Sequence, residues 1–319
     1  MVVLVEVCAG VFVGDFGALQ AHESLKELEI NAVISVLVED TKPYLPDCVR
    51  RFKQVPITDE ETSDLLSFLP GCMQFIDDSL GIGGSVLIHC QAGMSRSVAV
   101  ALAYIMYSRQ EAPGSAFRSL KKVHREARPN DGFVKQLKLF AAMGNKIDDD
   151  HPEYRLHRLH NLADERAWGQ EIQPSALAAD PITVPLTQGD VPVRCRKCRR
   201  VVFHGRNLLE HTPGEGQISF RYRRRDMHAQ QDLCSSVFAE PMAWMNEVVD
   251  GVVEGKITCP KCQYRLGSFN WSGAQCSCGA WITPAFQVHK NRVDIGIAAP
   301  AAMHFSKPVP IPDRGPPAS

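Results

Sequence analysis

The chain has 319 residues, 45% of them apolar and 22% charged, and a formal net charge of −1. That balance excludes a disordered or fibrous protein and fits an ordinary globular chain of about two domains. No stretch approaches the ~20 uninterrupted apolar residues of a membrane span. The apolar start Met1-Val2-Val3-Leu4-Val5-Glu6 has neither a basic leader nor a cleavage pattern, so it reads as a strand rather than a signal peptide.

The near-neutral total hides an asymmetry. Residues 1–150 carry 15 Lys+Arg against 20 Asp+Glu, whereas residues 191–319 carry 17 against 10. The cysteines are just as uneven, with seven of the eleven between Cys195 and Cys278. In a chain with this intracellular character they imply metal ligands rather than disulfides.

In chain order, residues 2–7 and 11–13 are short β runs around Gly10, and residues 19–28 have helical spacing. Residues 32–38 form a near-continuous apolar run, the pattern of a strand buried on both faces. A strand over 51–57 and a helix over 65–80, open to interruption at Pro70, lead to a central strand over 86–89. Helices are expected at 97–108, 115–126 and 132–143. Strands separated by helices in this way predict an α/β layer with a largely parallel sheet, whose ligand lies at the carboxyl end of a strand.

That strand end reads His89-Cys90-Gln91-Ala92-Gly93-Met94-Ser95-Arg96-Ser97, followed at once by a helical pattern. A loop of small residues at a helix start presents backbone N–H groups and a positive dipole end, which together bind phosphate. A cysteine there, beside Arg96, is favoured as the thiolate nucleophile. The planar fork of Arg96 can hold two phosphate oxygens at once. The chemistry is thiolate attack on phosphorus through a phosphocysteine intermediate, with the loop residues Gln91, Ala92, Gly93, Met94 and Ser95 binding the phosphate.

His-Cys-x5-Arg-Ser resembles the signature loop of the cysteine-dependent protein phosphatases, and the resemblance implies their fold, a central mostly parallel sheet flanked by helices. In compact dual-specificity members the general acid is an Asp just after a strand, about thirty residues before the cysteine. Asp59 stands 31 residues before Cys90, with Asp64 and Glu60 as alternatives. Ser97 is placed to donate to the cysteine sulfur as it departs. His89 is expected to orient the loop, and Arg128-Pro129-Asn130 to support it. Cys8, Cys48 and Cys72 read as core residues. Lys and Arg are missing from the loop interior, which argues against phosphoinositides. No tyrosine-clamping Lys-Asn-x-Tyr segment precedes the loop, which implies a shallow pocket open to phospho-Ser/Thr and phospho-Tyr.

Asp148-Asp149-Asp150 and Pro152 end a catalytic domain of residues 1–147. Residues 148–190 read as a helix and a proline-bearing linker, 191–299 as a small β-rich zinc-binding domain, and 300–319 as a flexible Pro- and Ala-rich tail. In the third segment Cys195-x2-Cys198 and Cys259-x2-Cys262 are two metal knuckles, joined by Cys276-x-Cys278 and Cys234. Seven thiolates need one more ligand to close two four-coordinate structural sites. His211 is chosen ahead of His204, His228 and His289. The simplest pairing takes Cys195, Cys198, His211 and Cys234 for one Zn²⁺ and Cys259, Cys262, Cys276 and Cys278 for the other, with an interleaved arrangement left open.

Basic clusters at Arg194, Arg196, Lys197, Arg199 and Arg200, and at Arg221, Arg223, Arg224 and Arg225, give this segment the electrostatic footprint of an RNA-rich partner. Together with Cys259-Pro-Lys-Cys, Leu266-Gly-Ser-Phe-Asn-Trp, Gln275-Cys-Ser-Cys-Gly and Trp281-Ile-Thr-Pro-Ala-Phe-Gln-x-His-Lys, the chain resembles the dual-specificity protein phosphatase twelve family and its yeast counterpart. That resemblance implies protein phosphatase activity and a two-zinc module. It also implies a part in large ribosomal subunit maturation, contact with a pre-ribosomal particle, and residence in nucleus and cytoplasm.

Overall fold

The computed structural model describes residues 2–186, 189–212, 214 and 234–296. The expected basic cluster at Arg221 to Arg225, His228 and the tail over 300–319 lie outside these residues. The chain divides into two compact units, Met1–His157 and Arg158–Ser319.

The first unit opens with a hairpin, β1 (Leu4–Cys8) and β2 (Val11–Gly14), turned by Gly10 at φ 75°. The helical spacing over 19–28 resolves into two short helices, α1 (Phe16–Gln20) and α2 (His22–Glu27). Then come β3 (Ile30–Ser35), β4 (Arg51–Gln54), α3 (Leu69–Gly81) and β5 (Ser85–His89). Pro70 does not interrupt α3 but sits in its first turn, where a missing N–H leaves no bond unmade. A 3-10 turn at Leu66–Phe68 precedes it.

The sheet order is β1-β2-β5-β3-β4, parallel throughout except for the β1–β2 pair. The central β5, Val86 to His89 all buried, points its carboxyl end at the signature loop. That loop runs into α4 (Arg96–Arg109), in which every residue from Ser97 to Met106 is buried. A helix apolar on all sides is one surrounded by protein, so α4 is the axis of the unit's core. Three further helices follow: α5 (Pro113–Val123), α6 (Asp131–Ala142) and α7 (Pro152–Ala167). None of the described helices is long and apolar enough to cross a membrane.

The second unit is antiparallel and β-rich. Its strands are β6 (Pro192–Cys195), β7 (Val201–His204), β8 (Leu208–Leu209) and β9 (Ser236–Ala239). After a short helix, α8 (Asn246–Val249), come β10 (Glu254–Thr258), β11 (Arg265–Asn270), β12 (Ala274–Gln275), β13 (Trp281–Ile282), β14 (Ala285–His289) and β15 (Val293–Ile295). They form the sheets β10-β11-β14-β9-β8, β15-β6-β7 and β12-β13. Phe203, Phe269, Trp271 and Phe286 fill its core, which also buries Ile172 and Leu177 from the segment read as linker.

Candidate active site and metal clusters

Cys90 follows β5 directly, only 1% exposed, with its N–H on the Gly14 carbonyl. Its Sγ lies 3.2 Å from Ser97 Oγ. Among the described residues, none of the five N–H groups from Gln91 to Ser95 donates to a protein acceptor. Unpaired amides ahead of a helix start are what an oxyanion needs. Gly93 has φ 69°, and a Cβ on it would stand 2.9 Å from the Gly14 carbonyl and the Asp15 nitrogen, so glycine is required at that position.

The loop's carbonyls are held from outside. Gln91 O accepts from Phe16 N at 3.3 Å, Gly93 O bonds His124 Nε2 at 2.8 Å, and Met94 O accepts from Arg128 N at 2.7 Å. Carbonyls tied outward leave the amides free for an anion. The expected support from Arg128-Pro129-Asn130 is therefore present, and His124 is a support that the sequence did not reveal. His89 does not reach the loop's interior: its Nε2 bonds Ser35 Oγ at 2.6 Å, which bonds Thr41 Oγ1 at 2.5 Å. Burial pushes the His89 pKa down to about 4, against smaller opposing effects of the Cys90 backbone and Asp15, so the imidazole is neutral.

Arg96 heads α4, its Nη1 on the Ile57 carbonyl at 3.4 Å and its Nε 3.9 Å from Asp59 Oδ2. Asp59 Oδ1 accepts from Ser95 Oγ at 2.5 Å and from Asn130 Nδ2 at 2.9 Å. The fold thus brings Cys90, Arg96, Ser97, Ser95 and Asp59 together. It leads the alternative acid Asp64 elsewhere: Asp64 Oδ1 is 3.1 Å from His157 Nε2 and accepts from Ser67 N. Burial would raise the Asp64 pKa, but the hydrogen bonds of His157 and Ser67 outweigh it and hold the carboxyl below its usual range. Cys72 is buried and pushed up to about 12 by desolvation, as suits an inert core thiol.

In the second unit, eight ligand atoms form two groups, each with all its atoms within 4.8 Å of one another. Cys195, Cys198, Cys259 and Cys262 make one, and His211, Cys234, Cys276 and Cys278 the other. All eight expected ligands are used, but the pairing that follows sequence order is not the one formed. The two CxxC knuckles share a site because their turns are brought face to face. In the first, Arg199 N bonds Cys195 O at 2.9 Å and Arg199 has φ 63°. In the second, Gln263 N bonds Cys259 O at 2.9 Å and Gln263 has φ 57°. Across them the sulfurs of Cys195 and Cys262 are 3.8 Å apart and those of Cys198 and Cys259 3.5 Å.

A tetrahedral metal with Zn–S bonds of ~2.3 Å sets its sulfurs about 3.8 Å apart. The Cys₄ donor set and its spacing can therefore hold such an ion, as can Cys₃His, where His211 Nε2 is 3.5 Å from Cys234 Sγ and 3.4 Å from Cys278 Sγ. Of the alternative ligands among the described residues, His204 lies against Asp190 at 3.8 Å and His289 bonds Ser236 at 3.1 Å. The basic cluster at the first knuckle is partly neutralised. Arg196 and Arg199 both pair with Asp294, and Arg200 with Asp180 at 2.5 Å.

A cysteine at the foot of an anion-binding loop, with an arginine six residues on and a tethered carboxylate, defines the class as the cysteine-dependent dual-specificity phosphatases. The family model described as "Dual specificity phosphatase, catalytic domain" matches residues 11–143. Human "Dual specificity protein phosphatase 12" is 41% identical over 303 residues, covering 91% of this chain and 88% of that protein. Saccharomyces cerevisiae "Tyrosine-protein phosphatase YVH1" is 30% identical over 328 residues, covering 90% of each. A solved Yvh1 phosphatase domain from Chaetomium thermophilum is 29% identical, with a TM-score of 0.41, over 46% of this chain and 99% of that one. The chain belongs to the dual specificity protein phosphatase 12 family and is a dual-specificity protein phosphatase.

Proposed function

We propose that the chain hydrolyses phospho-Tyr and phospho-Ser/Thr in proteins with Cys90 as nucleophile, Arg96 as phosphate clamp and Asp59 as acid and then base. The Cys90 thiolate attacks phosphorus as the bond to the leaving oxygen breaks, and Asp59 delivers a proton to that oxygen. Water then attacks the phosphocysteine, Asp59 takes its proton, and the S–P bond breaks with Ser97 donating to the departing sulfur. The amides of Gln91 to Ser95 and the Arg96 fork neutralise the equatorial oxygens in both steps. The observation that carries this reading is the 3.2 Å approach of Ser97 Oγ to a buried cysteine at the foot of five unpaired amides. Cys90→Ser is expected to abolish turnover of an aryl phosphate and of phosphotyrosyl and phosphothreonyl peptides. Full turnover by that variant would overturn the assignment.

The two thiolate-rich clusters are proposed to hold two structural Zn²⁺. With four protein ligands each, they leave no open position for catalysis. Zinc would supply folding energy to the second unit and nothing to phosphoryl transfer.

A second role is proposed for that unit, in large ribosomal subunit assembly on a pre-ribosomal particle, in both nucleus and cytoplasm. Its support is the family resemblance and the 17 Lys+Arg against 10 Asp+Glu in residues 191–319. If that role is the main one, cells carrying Cys90→Ser keep normal subunit production while cells carrying Cys259→Ser lose it. The reverse outcome would make catalysis the essential property.

A further inference from the structure

We infer that the first two turns of α6 are a docking platform that fixes the general acid, with Asn130 and Ser95 holding one oxygen of Asp59 so that the other, Oδ2, carries the proton. The inference rests on Asp59 being the acid, as proposed above.

The carboxylate end of the platform is a closed triangle. Asn130 Nδ2 and Ser95 Oγ both donate to Asp59 Oδ1, at 2.9 and 2.5 Å. Ser95 Oγ in turn accepts from Asn130 N at 3.1 Å. Asn130 also caps α6, its Oδ1 accepting from Phe133 N at 2.9 Å, so its side chain cannot swing away without uncapping the helix. Oδ1 takes two close donors while Oδ2 meets only the longer 3.9 Å approach of Arg96 Nε, so Oδ1 is committed as an acceptor and Oδ2 carries the proton. In the first step this proton passes from Oδ2 to the leaving oxygen as its bond to phosphorus breaks. In the second, Oδ2 takes the proton of the attacking water.

The segment behind Asp59 is clamped as well. Gln136, 6% exposed, accepts from Leu65 N at 2.8 Å and Leu66 N at 3.2 Å, and its Nε2 donates to Ser63 O at 2.8 Å. Gly132 lets the chain pass so closely that a Cβ there would stand 2.0 Å from the Glu61 carbonyl oxygen. Asn130 at the α6 cap and Gly132 and Gln136 within the helix thus hold residues 59–66 at both ends. Asn130 and Gln136 are positioning residues that act through Asp59.

The test measures kcat on aryl phosphates whose leaving groups run from strongly activated nitrophenols to phenol, for the wild type, Asp59→Asn and Asn130→Ser. Asn130→Ser keeps an oxygen able to cap Phe133 N and removes only the Nδ2 donor. A misplaced acid matters only where the leaving oxygen needs a proton. Asn130→Ser is therefore expected to lose about tenfold on phenyl phosphate and under about twofold on the most activated ester. Asp59→Asn loses about 100-fold or more on phenyl phosphate, and adding Asn130→Ser to it costs nothing further. If Asp59→Asn shows this dependence while Asn130→Ser loses equally on every ester, or not at all, the platform is overturned and the acid assignment stands. If Asp59→Asn shows no leaving-group dependence, the acid assignment falls and the platform with it.

Discussion

The Sγ atoms of Cys198 and Cys259, 61 positions apart in the chain, lie 3.5 Å from each other. They belong to knuckles that are each followed by a residue at positive φ, and the second strand pair closes onto the first. Pairs of Cys→Ser variants should therefore count metals. Cys195→Ser with Cys259→Ser strikes one cluster twice and is expected to leave about one Zn²⁺ per chain, whereas Cys195→Ser with Cys234→Ser strikes both and leaves about none. Atomic emission on purified protein reads the difference. Pairing in sequence order would give the reverse.

The two units have separate cores, one built around α4 and the other around Phe203, Phe269 and Phe286. All four tryptophans fall in residues 158–319. Strong chelation is thus expected to change tryptophan emission as the second unit unfolds. The rate on a small aryl phosphate should hold within about twofold, because the ions supply no step of the chemistry. A parallel loss of both signals would show that the metals also support the catalytic unit.

Gly93→Ala introduces a side chain at φ 69°, 2.9 Å from the Gly14 backbone. Strain at such a position costs about 1–3 kcal/mol. Relief can come only by shifting the loop whose amides face the phosphate. A lowered denaturation midpoint together with a fall in kcat of about 100-fold is expected. Wild-type turnover by this variant would mean the loop tolerates displacement.

His89 gives the catalytic unit a specific acid sensitivity. Its pKa falls from 6.5 to about 4 on burial, so between those values the unfolded chain binds a proton that the folded chain refuses. Stability therefore rises with pH through this window, is complete above 6.5, and is lost as pH drops toward 4; the full effect is about 3 kcal/mol. Amide exchange in β5 and α4, followed from pH 7 to 4, should accelerate in the wild type. The pH slope should be shallower in His89→Asn, whatever its absolute stability. An unchanged slope would place the acid sensitivity elsewhere.

The nucleophile, the clamp and the hydroxyl that assists sulfur release lie within eight residues, Cys90 to Ser97, between an apolar strand and a helix. Their chemistry is legible in the linear chain because a strand–loop–helix turn is a local object, set by φ/ψ preferences and by one glycine. The ligand types for two metals are legible for the same reason, since a CxxC knuckle is a single turn. Asp59 needed the family resemblance, because nothing local separates it from Glu60 or Asp64. The pairing of the knuckles, the link from Asn130 to Asp59 over 71 positions and the grip of Gln136 on Ser63 over 73 were settled only when the strands and α6 packed. Hydrogen bonds and metal clusters depend on distances of a few ångströms, which residue order does not encode across such separations. Local chemistry was decided by the order of residues; which pieces of it meet was decided by the burial of β5 and α4 in one core and by the packing of separate sheets into a shared core in the other.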